Sequence, residues 1–197
     1  MGEEISYTTE EILDMTQQLY CFGLYDDGEA RKIEFARTLK PEEKVIIFGI
    51  GYGARDCIIT ALANPSIHIF TFDYGRHDWH VQEDFLIHVH QLLKDYQINN
   101  VYPWISEATV ALPCWKSKIG ALFIDTDGAG TGDQLRRWAK FVRPKGKIFV
   151  QNYGLSHYAK IKEEVDEFLK ENTNIILGEQ TPKTENGSPQ LRELDVI

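Results

Sequence analysis

The sequence has few cysteines, and their spacing excludes a disulfide framework. Its three cysteines, Cys21, Cys57 and Cys114, are widely separated and form no Cys-x-x-Cys pair. An odd number of isolated cysteines is typical of a protein in a reducing compartment. No apolar run is long enough to span a membrane, and the first residues, Met1-Gly2-Glu3-Glu4, are acidic rather than apolar. We therefore expect a cytoplasmic protein that does not interact with membranes.

Positive charge is also scarce. The chain has 21 lysines and arginines against 30 aspartates and glutamates, which gives a formal net charge of -9. Nucleic-acid binding depends largely on clustered lysine and arginine side chains that contact phosphates. One local basic run has the spacing of a solvated helix face and helix C-terminus. This run comprises Arg136, Arg137, Lys140, Arg143, Lys145 and Lys147. The composition favours a small-molecule substrate and predicts no nucleic-acid partner.

The remaining composition is that of an ordinary globular protein. Of its 197 residues, 43% are hydrophobic and 26% are charged, and the chain contains no internal repeats or low-complexity tracts. This length suffices for one domain with a substantial core and is short for two. We predict a single domain over residues 1–197, with an N-terminal helical segment at 1–41 and an α/β core at 44–197.

Short apolar runs alternate with amphipathic segments along most of the chain, which predicts strands alternating with helices. Five apolar runs lie at residues 44–48, 67–72, 100–106, 120–124 and 147–150. Two further strands, at 174–177 and 191–197, flank a polar stretch that is typical of an antiparallel hairpin. We therefore predict an α/β fold, a Rossmann-like doubly wound seven-stranded mostly parallel sheet with a C-terminal antiparallel β-hairpin.

Local patterns predict where several elements begin. Thr8 and Glu11 have the spacing of a capping box, which predicts a first helix that runs to about Tyr20. Residues 144–146, Pro-Lys-Gly, predict a turn before the fifth strand, after a helix at about 133–142. Ser156 is expected to cap the helix that follows this strand.

The glycines after the first strand form the most informative motif. The apolar run 44–48 leads into Gly49, Gly51 and Gly53 and then into a helical pattern. Glycines at such a strand–turn–helix junction let the backbone approach a ligand closely. Asp73 closes the second apolar run, where a carboxylate can accept hydrogen bonds from the two hydroxyls of a ribose. The pattern predicts a cofactor that contains a nucleoside.

Polar residues follow the fourth and fifth strands, at the edge where ligands bind in sheets of this kind. Asp125 and Asp127 end the fourth strand, and Asn152 and Tyr153 follow the fifth. The two aspartates also fit solvated strand ends, and Tyr153 fits either a role in orienting an acceptor or a packing role.

Histidines offer candidate bases. His77 lies shortly after the second strand and His157 follows the fifth. His80, Asp84 and His88 share one face of a predicted helix. Because a metal site built from one helix is unusual, we interpret that face as solvated.

Together these residues resemble a known family, the class I S-adenosylmethionine-dependent methyltransferases. The resemblance covers the chain from about residue 44 onward. Residues 45–53 resemble the family's first motif, and Asp73 resembles its ribose-binding acid. The nearest resemblance is to the small, catechol-type O-methyltransferases, through 121–127 and 138–150. The resemblance implies that S-adenosylmethionine is the cofactor. Its implied binding residues are Gly49, Gly51, Tyr52, Gly53, Asp73, Glu107 and Asp125.

The same resemblance implies a metal site and catalytic residues. In the cation-dependent enzymes, an aspartate after the fourth strand and an Asp-Asn pair after the fifth hold a divalent metal. Their counterparts are Asp125 and Gln151-Asn152, so Mg2+ held by Asp125 and Asn152 is expected. Asp125, Asn152 and His157 are the implied catalytic residues.

Three positions depart from the family pattern. Ile47 replaces the usual acidic residue of the first motif, and Gln151 replaces a metal-binding aspartate. Gly128 stands where related enzymes place a lysine or histidine that accepts a proton.

The resemblance therefore implies methyl transfer from S-adenosylmethionine to an oxygen or nitrogen of a small-molecule acceptor. The three departures keep open a methyltransferase-like binding protein without turnover. Gly49, Gly51 and Ala54 also satisfy Gly-x-Gly-x-x-Ala, which keeps open an NAD-dependent oxidoreductase. A homodimer also stays open.

Overall fold

A computed structural model describes residues 7–19, 27–51, 54–74, 82–125, 130–181 and 191–197. Within these ranges the chain forms six α-helices and seven strands. The helices are α1 (Thr9–Met15), α2 (Asp27–Thr38), α3 (Arg55–Ala63), α4 (Gln82–Asp95), α5 (Thr131–Trp138) and α6 (Ala159–Glu171). The strands are β1 (Lys44–Phe48), β2 (His68–Asp73), β3 (Val101–Ile105), β4 (Ile119–Ile124), β5 (Val142–Val150), β6 (Ile175–Gln180) and β7 (Arg192–Val196). No helix in these ranges has the length and apolarity needed to cross a bilayer.

All seven strands form one sheet in the order β3-β2-β1-β4-β5-β7-β6. The first five strands in the chain pair with one another in parallel. β7 runs antiparallel to both β5 and β6, so the C-terminal pair closes one edge of the sheet. The predicted fold class, a Rossmann-like mostly parallel sheet with a C-terminal antiparallel pair, is confirmed.

Side chains of each strand alternate between two cores, one on each face of the sheet. In β1, Ile46 and Phe48 face the core that contains α5 and α6. Val45 and Ile47 face the core that contains α3 and α4. All four are at most 1% exposed, and burial of such a side chain contributes about 1.5–3 kcal/mol. With helices packed on both faces, the carboxyl ends of the strands remain the expected place for a ligand.

The capping box at the start of α1 is present as predicted. The Thr8 hydroxyl accepts a hydrogen bond from the Glu11 N–H, and the Glu11 carboxylate accepts one from the Thr8 N–H. The helix ends earlier than predicted, at Met15, and a 3-10 turn follows at Gln17–Leu19. The hydroxyl of Thr16 donates to the Ile12 carbonyl at 2.8 Å, a side-chain bond that competes with continuation of the helix.

The predicted turn at 144–146 lies inside a strand. β5 begins five residues before the predicted start at Lys147. The pairing of β4 with β5 shifts between Ile119 and Ala121, and Lys145 adopts a φ of 62°. A bulge therefore absorbs the proline and the left-handed residue without ending the strand, since a bulge tolerates a residue that cannot donate.

Two predicted helix boundaries are wrong. α5 spans Thr131–Trp138, and a 3-10 turn at Ala139–Phe141 replaces its predicted last turn. Ser156 does not cap α6, because residues 156–158 form a separate 3-10 turn and Tyr158 occupies the N-cap position. The turn is closed by the Tyr158 N–H, which donates to the Leu155 carbonyl at 2.9 Å.

Candidate functional site

The residues that directly follow four parallel strands meet at one edge of the sheet. Each extends the ladder of its strand by one backbone hydrogen bond to a neighbouring strand, which fixes its position. The bonds join Gly49 N to Phe72 O (3.0 Å), Asp125 N to Phe48 O (2.9 Å), Gln151 N to Ile124 O (2.9 Å) and Ser106 N to Asp73 O (2.8 Å). The carboxyl ends of β1 to β5, which carry the predicted site residues, are therefore brought together at this edge.

Gly49 is required by a contact between two strand ends. Its φ is +83°, and a Cβ added there would lie 1.8 Å from the backbone oxygen of Asp125. The space beside Gly49 is thus filled by the end of β4, and the close approach at this glycine is to backbone.

Gly51 is the glycine that faces open space. Its φ is +57°, and among the residues that the structure describes, leaving out its chain neighbours, a Cβ added there would meet no atom within 4 Å. Its N–H donates to Oδ2 of Asp73 at 3.3 Å. The open side of the turn is therefore at Gly51.

Asp73 ends β2 and is 5% exposed. Since it is paired in register with Ile105, at the end of β3, its position along the edge is fixed by the sheet. The bond from Gly51 holds one carboxylate oxygen toward the glycine turn. The carboxylate is oriented before any ligand arrives, which reduces the entropy lost on binding.

Asp125 and Asn152 form the other half of the edge. Asn152 is buried and has a φ of 63°, a conformation that asparagine adopts more readily than most residues. Its Nδ2 donates to Oδ1 of Asp125 at 3.4 Å. The half-buried carboxylate of Asp125 is thus held between the ends of β4 and β5.

Tyr153 has a packing role, one of the two roles that the sequence left open. It is buried, and its hydroxyl donates to Oδ1 of Asp166 on α6 at 3.0 Å. Glu107 follows β3 at the same edge as Asp73, and its side chain is exposed. Ile47, which replaces the usual acid, is fully buried in the core.

Several predicted residues lie outside the described residues. These are Tyr52, Gly53, His77, His80, Asp127 and Gly128, and also the side chains of Asp84 and His157. Their proposed roles stay predictions.

Sequence reasoning missed a group of buried charged side chains beside this edge. Arg55, the first residue of α3, pairs with Glu29 of α2 at 2.9 Å. Lys32 of α2 contacts both carboxylate oxygens of Asp56, at 2.9 and 2.7 Å, and Oε1 of Gln151 at 3.3 Å. These contacts join α2 and α3 to the end of β5.

A sequence signal for these pairs existed. In α2, Glu29 and Lys32 fall on the same helical stripe as Ile33 and Ala36, which are buried. Charged residues in phase with an apolar stripe are rarely buried unless they are paired. Their partners, 24 and 26 residues away in sequence, are visible only in the fold.

Cys57 lies on α3 beside the same turn and is fully buried. Burial raises the pKa of its thiol to about 12, and a hydrogen bond with Thr71 offsets only part of this effect. The thiol is therefore neutral at physiological pH and does not act as a nucleophile.

The donor set does not fit the expected Mg2+ site. Gln151 supplies an amide instead of a carboxylate, and its oxygen faces the Lys32 ammonium group. Asn152 directs its amide nitrogen toward Asp125, which leaves one carboxylate among the three implied ligands. Mg2+ prefers oxygen ligands of high negative charge. Among the described residues, no cluster of three or more His, Cys, Asp or Glu side chains could hold a metal ion.

No protein-family model matches this sequence, and no curated protein matches it. Solved structures do resemble it. An rRNA methylase from Streptococcus thermophilus superposes with a TM-score of 0.65 at 16% identity, covering 89% of this chain and 99% of that one. The O-methyltransferase TomG from Streptomyces achromogenes, involved in tomaymycin synthesis and solved with S-adenosylmethionine, gives 0.69 at 16% identity, covering 94% and 89%.

A third similar structure is an S-adenosylhomocysteine-bound methyltransferase from Podospora anserina. Its TM-score is 0.61 at 13% identity, and both chains are covered completely. Because rRNA methylases and O-methyltransferases both occur among these structures, the fold neither singles out the catechol-type branch nor supports the predicted exclusion of nucleic acid. The chain shares the α/β Rossmann-like fold of these methyltransferases.

Proposed function

We propose that this chain transfers a methyl group from S-adenosylmethionine to an oxygen or nitrogen of a small-molecule acceptor. The observation that carries the proposal is the bond between Gly51 N–H and Asp73 Oδ2 at the open side of the turn. A buried carboxylate in this place suits the two hydroxyls of a ribose. Similar folds solved with S-adenosylmethionine or S-adenosylhomocysteine support the choice of cofactor.

The cofactor would lie along the edge from β3 to β4. Glu107 would lie beside the adenine, Asp73 would bind the ribose, and the turn at Gly49, Gly51, Tyr52 and Gly53 would pass beneath the methionine part. The sulfonium supplies an activated methyl group. The contribution of the chain is then to hold the acceptor in line with that group and to exclude water.

Asp125 and Asn152 would form the acceptor side. The Asp125 carboxylate, held by the Asn152 amide, can accept a hydrogen bond from an acceptor hydroxyl or amine. His157 is the proposed base that removes the acceptor proton, since it follows β5 in the chain. The net charge of -9 supports a small-molecule acceptor over a nucleic acid.

Calorimetric titration with S-adenosylmethionine, S-adenosylhomocysteine and NAD tests the proposal. Asp73→Asn keeps the shape of the side chain and removes its charge. We expect it to weaken binding of S-adenosylmethionine at least tenfold, which corresponds to about 1.4 kcal/mol. Asp14→Asn, at an exposed position on α1, is the matched control and should leave the affinity unchanged.

The other outcomes distinguish the alternatives. A preference for NAD would favour the oxidoreductase. Binding of S-adenosylmethionine without turnover across an acceptor screen would favour a methyltransferase-like binding protein. The departure from the family pattern at Gln151 would then be one reason for the lost activity. Equal affinity of the Asp73→Asn variant and the wild type would remove Asp73 from the ribose site.

A further inference from the structure

The buried ammonium group of Lys32 is the feature that the proposed reaction leaves unexplained. The side chain is 3% exposed. Its Nζ lies 2.7 Å from Oδ2 of Asp56, 3.3 Å from Oε1 of Gln151 and 5.7 Å from the centre of the Phe123 ring. A charge this deeply buried requires such partners. Lys32 therefore links α2 to the first turn of α3 and to the residue that follows β5.

The location of this ammonium group is informative because of Gln151. In the sequence resemblance, Gln151 stands at the position of a metal-binding aspartate, next to Asn152 and opposite Asp125. In the structure, the side-chain oxygen of Gln151 faces a positive charge that belongs to the chain itself. The next residue, Asn152, contacts Asp125 at 3.4 Å. The Lys32 ammonium group therefore contacts the residue that directly precedes the proposed acceptor side.

We propose that Lys32 provides a built-in cation in place of a divalent metal, and that it acts as a positioning residue for Gln151 and the adjoining Asn152–Asp125 pair. Its role toward an acceptor rests on the proposed methyl transfer. Its replacement of a metal is independent of that function and can be tested without any cofactor.

Charge and distance oppose a second cation at this position. A metal ion bound to Oε1 of Gln151 at about 2.1 Å would lie within about 5.4 Å of the Lys32 ammonium group, and the two would repel each other. Asp56 is already paired with Lys32. Glutamine in place of aspartate also removes the negative charge that a divalent ion would need.

Titration with Mn2+, followed by electron paramagnetic resonance, tests the replacement directly. Mn2+ serves as a spectroscopic substitute for Mg2+. We expect the wild type to show no saturable binding at micromolar Mn2+. Gln151→Asp alone should behave in the same way, because the new carboxylate would pair with Lys32.

A metal site should emerge when the built-in cation is removed. Lys32→Met with Asp56→Asn removes both charges of the ion pair together, which avoids a lone buried carboxylate. Gln151→Asp is then added to this double variant. The resulting triple variant should bind Mn2+ at least about tenfold more tightly than the Gln151→Asp single variant, a difference of about 1.4 kcal/mol in binding free energy. Far-UV circular dichroism of each variant checks that it is folded.

Saturable micromolar Mn2+ binding by the wild type, abolished by Asp125→Asn, would overturn the proposal. Equal Mn2+ affinity of folded Gln151→Asp proteins with and without Lys32 would also overturn it. If the multiple variant does not fold, the wild-type titration still decides. Mn2+ binding is measured without S-adenosylmethionine, so a failure of cofactor binding would contradict the proposed function and leave this result intact.

Discussion

At the scale of single residues, Gly49 and Gly51 have different roles although they belong to one motif. Gly49 allows the backbone of Asp125 to pass close to the turn, whereas Gly51 adjoins open space and donates to Asp73. A side chain at Gly49 must displace the end of β4. A side chain at Gly51 would be strained by the left-handed backbone there and would overlap no described residue beyond its chain neighbours.

Alanine substitutions should separate these two roles. Gly51→Ala should cost about 1–2 kcal/mol of unfolding free energy, the strain of a left-handed alanine. Gly49→Ala adds overlap with a backbone oxygen and should cost about 3 kcal/mol or more. Urea denaturation of both variants measures the difference. Equal costs would show that the Asp125 backbone can move away and that Gly49 is required only for its positive φ.

Hydrogen bonds were predictable from the sequence where both partners lie within one helical turn of each other. The capping box of Thr8 and Glu11 is one such case. The contact between Gly49 and Asp125 joins residues far apart in the chain, so the motif indicated a close approach without indicating to what. For the same reason Lys32 and Gln151 could not be paired from the sequence.

At the scale of elements, the ion pair between Glu29 and Arg55 links α2 to the first residue of α3. Both side chains are buried, and the two groups lie 2.9 Å apart. Removal of one partner takes a close counterion from a buried charge, which is more costly than the loss of an exposed pair.

Glu29→Gln should therefore destabilise the protein by about 3–5 kcal/mol. Glu34→Gln on the same helix is the matched control, because Glu34 is exposed and pairs with Arg37 three residues away. Its cost should not exceed about 1 kcal/mol. Thermal and urea denaturation of both variants give the comparison. A small cost for Glu29→Gln would mean that water or another group replaces the carboxylate.

Element type was more predictable than element boundaries. The buried residues of α6, Ile161, Val165 and Phe168, recur at helical spacing, so a sequence pattern of this kind predicts a helix. The proline and glycine before residue 147 indicated a turn, but pairing with β4 continues across them through a bulge. Hydrogen bonding to a neighbouring strand overrode the local turn preference, and a single sequence does not reveal that neighbour.

At the scale of the whole molecule, the described N-terminal helices are packed onto the α/β core. Ile12 of α1 and Ile33 of α2 form a buried cluster with Ile59 of α3. Tyr96, which follows α4, donates its hydroxyl to the Met15 carbonyl at 2.7 Å. These contacts support the proposal that residues 1–197 form one domain, which predicts a single cooperative unfolding transition.

Cys57 and Cys114 can report that transition. Cys114 is exposed, so iodoacetamide should alkylate it in the native protein. Cys57 is buried, with its pKa raised from 9.0 to about 12, so it should react only after unfolding. In urea, alkylation of Cys57, resolved by peptide mass spectrometry, should follow the loss of far-UV circular dichroism. Alkylation at lower urea would contradict a single cooperative unit.

The Cys57 thiol also makes the free energy of unfolding depend on pH. Because the pKa of Cys57 is higher in the folded state than its ordinary value, the folded state binds more protons above pH 9. Its contribution to stability is complete below the ordinary pKa and decreases as the pH rises toward 12.

The position of β7 in the sheet has a consequence for synthesis. β7 follows β6 in the chain but lies between β5 and β6 in the sheet. On the ribosome, β6 therefore emerges before the strand that must separate it from β5, and two open strand edges can meet prematurely. Lys147 on β5 contacts Asp195 on β7 at 2.9 Å, a pairing that favours the correct neighbour. Completion of this edge waits for residues 192–196, so a stalled nascent chain lacking them would expose a sheet ready to associate with other chains.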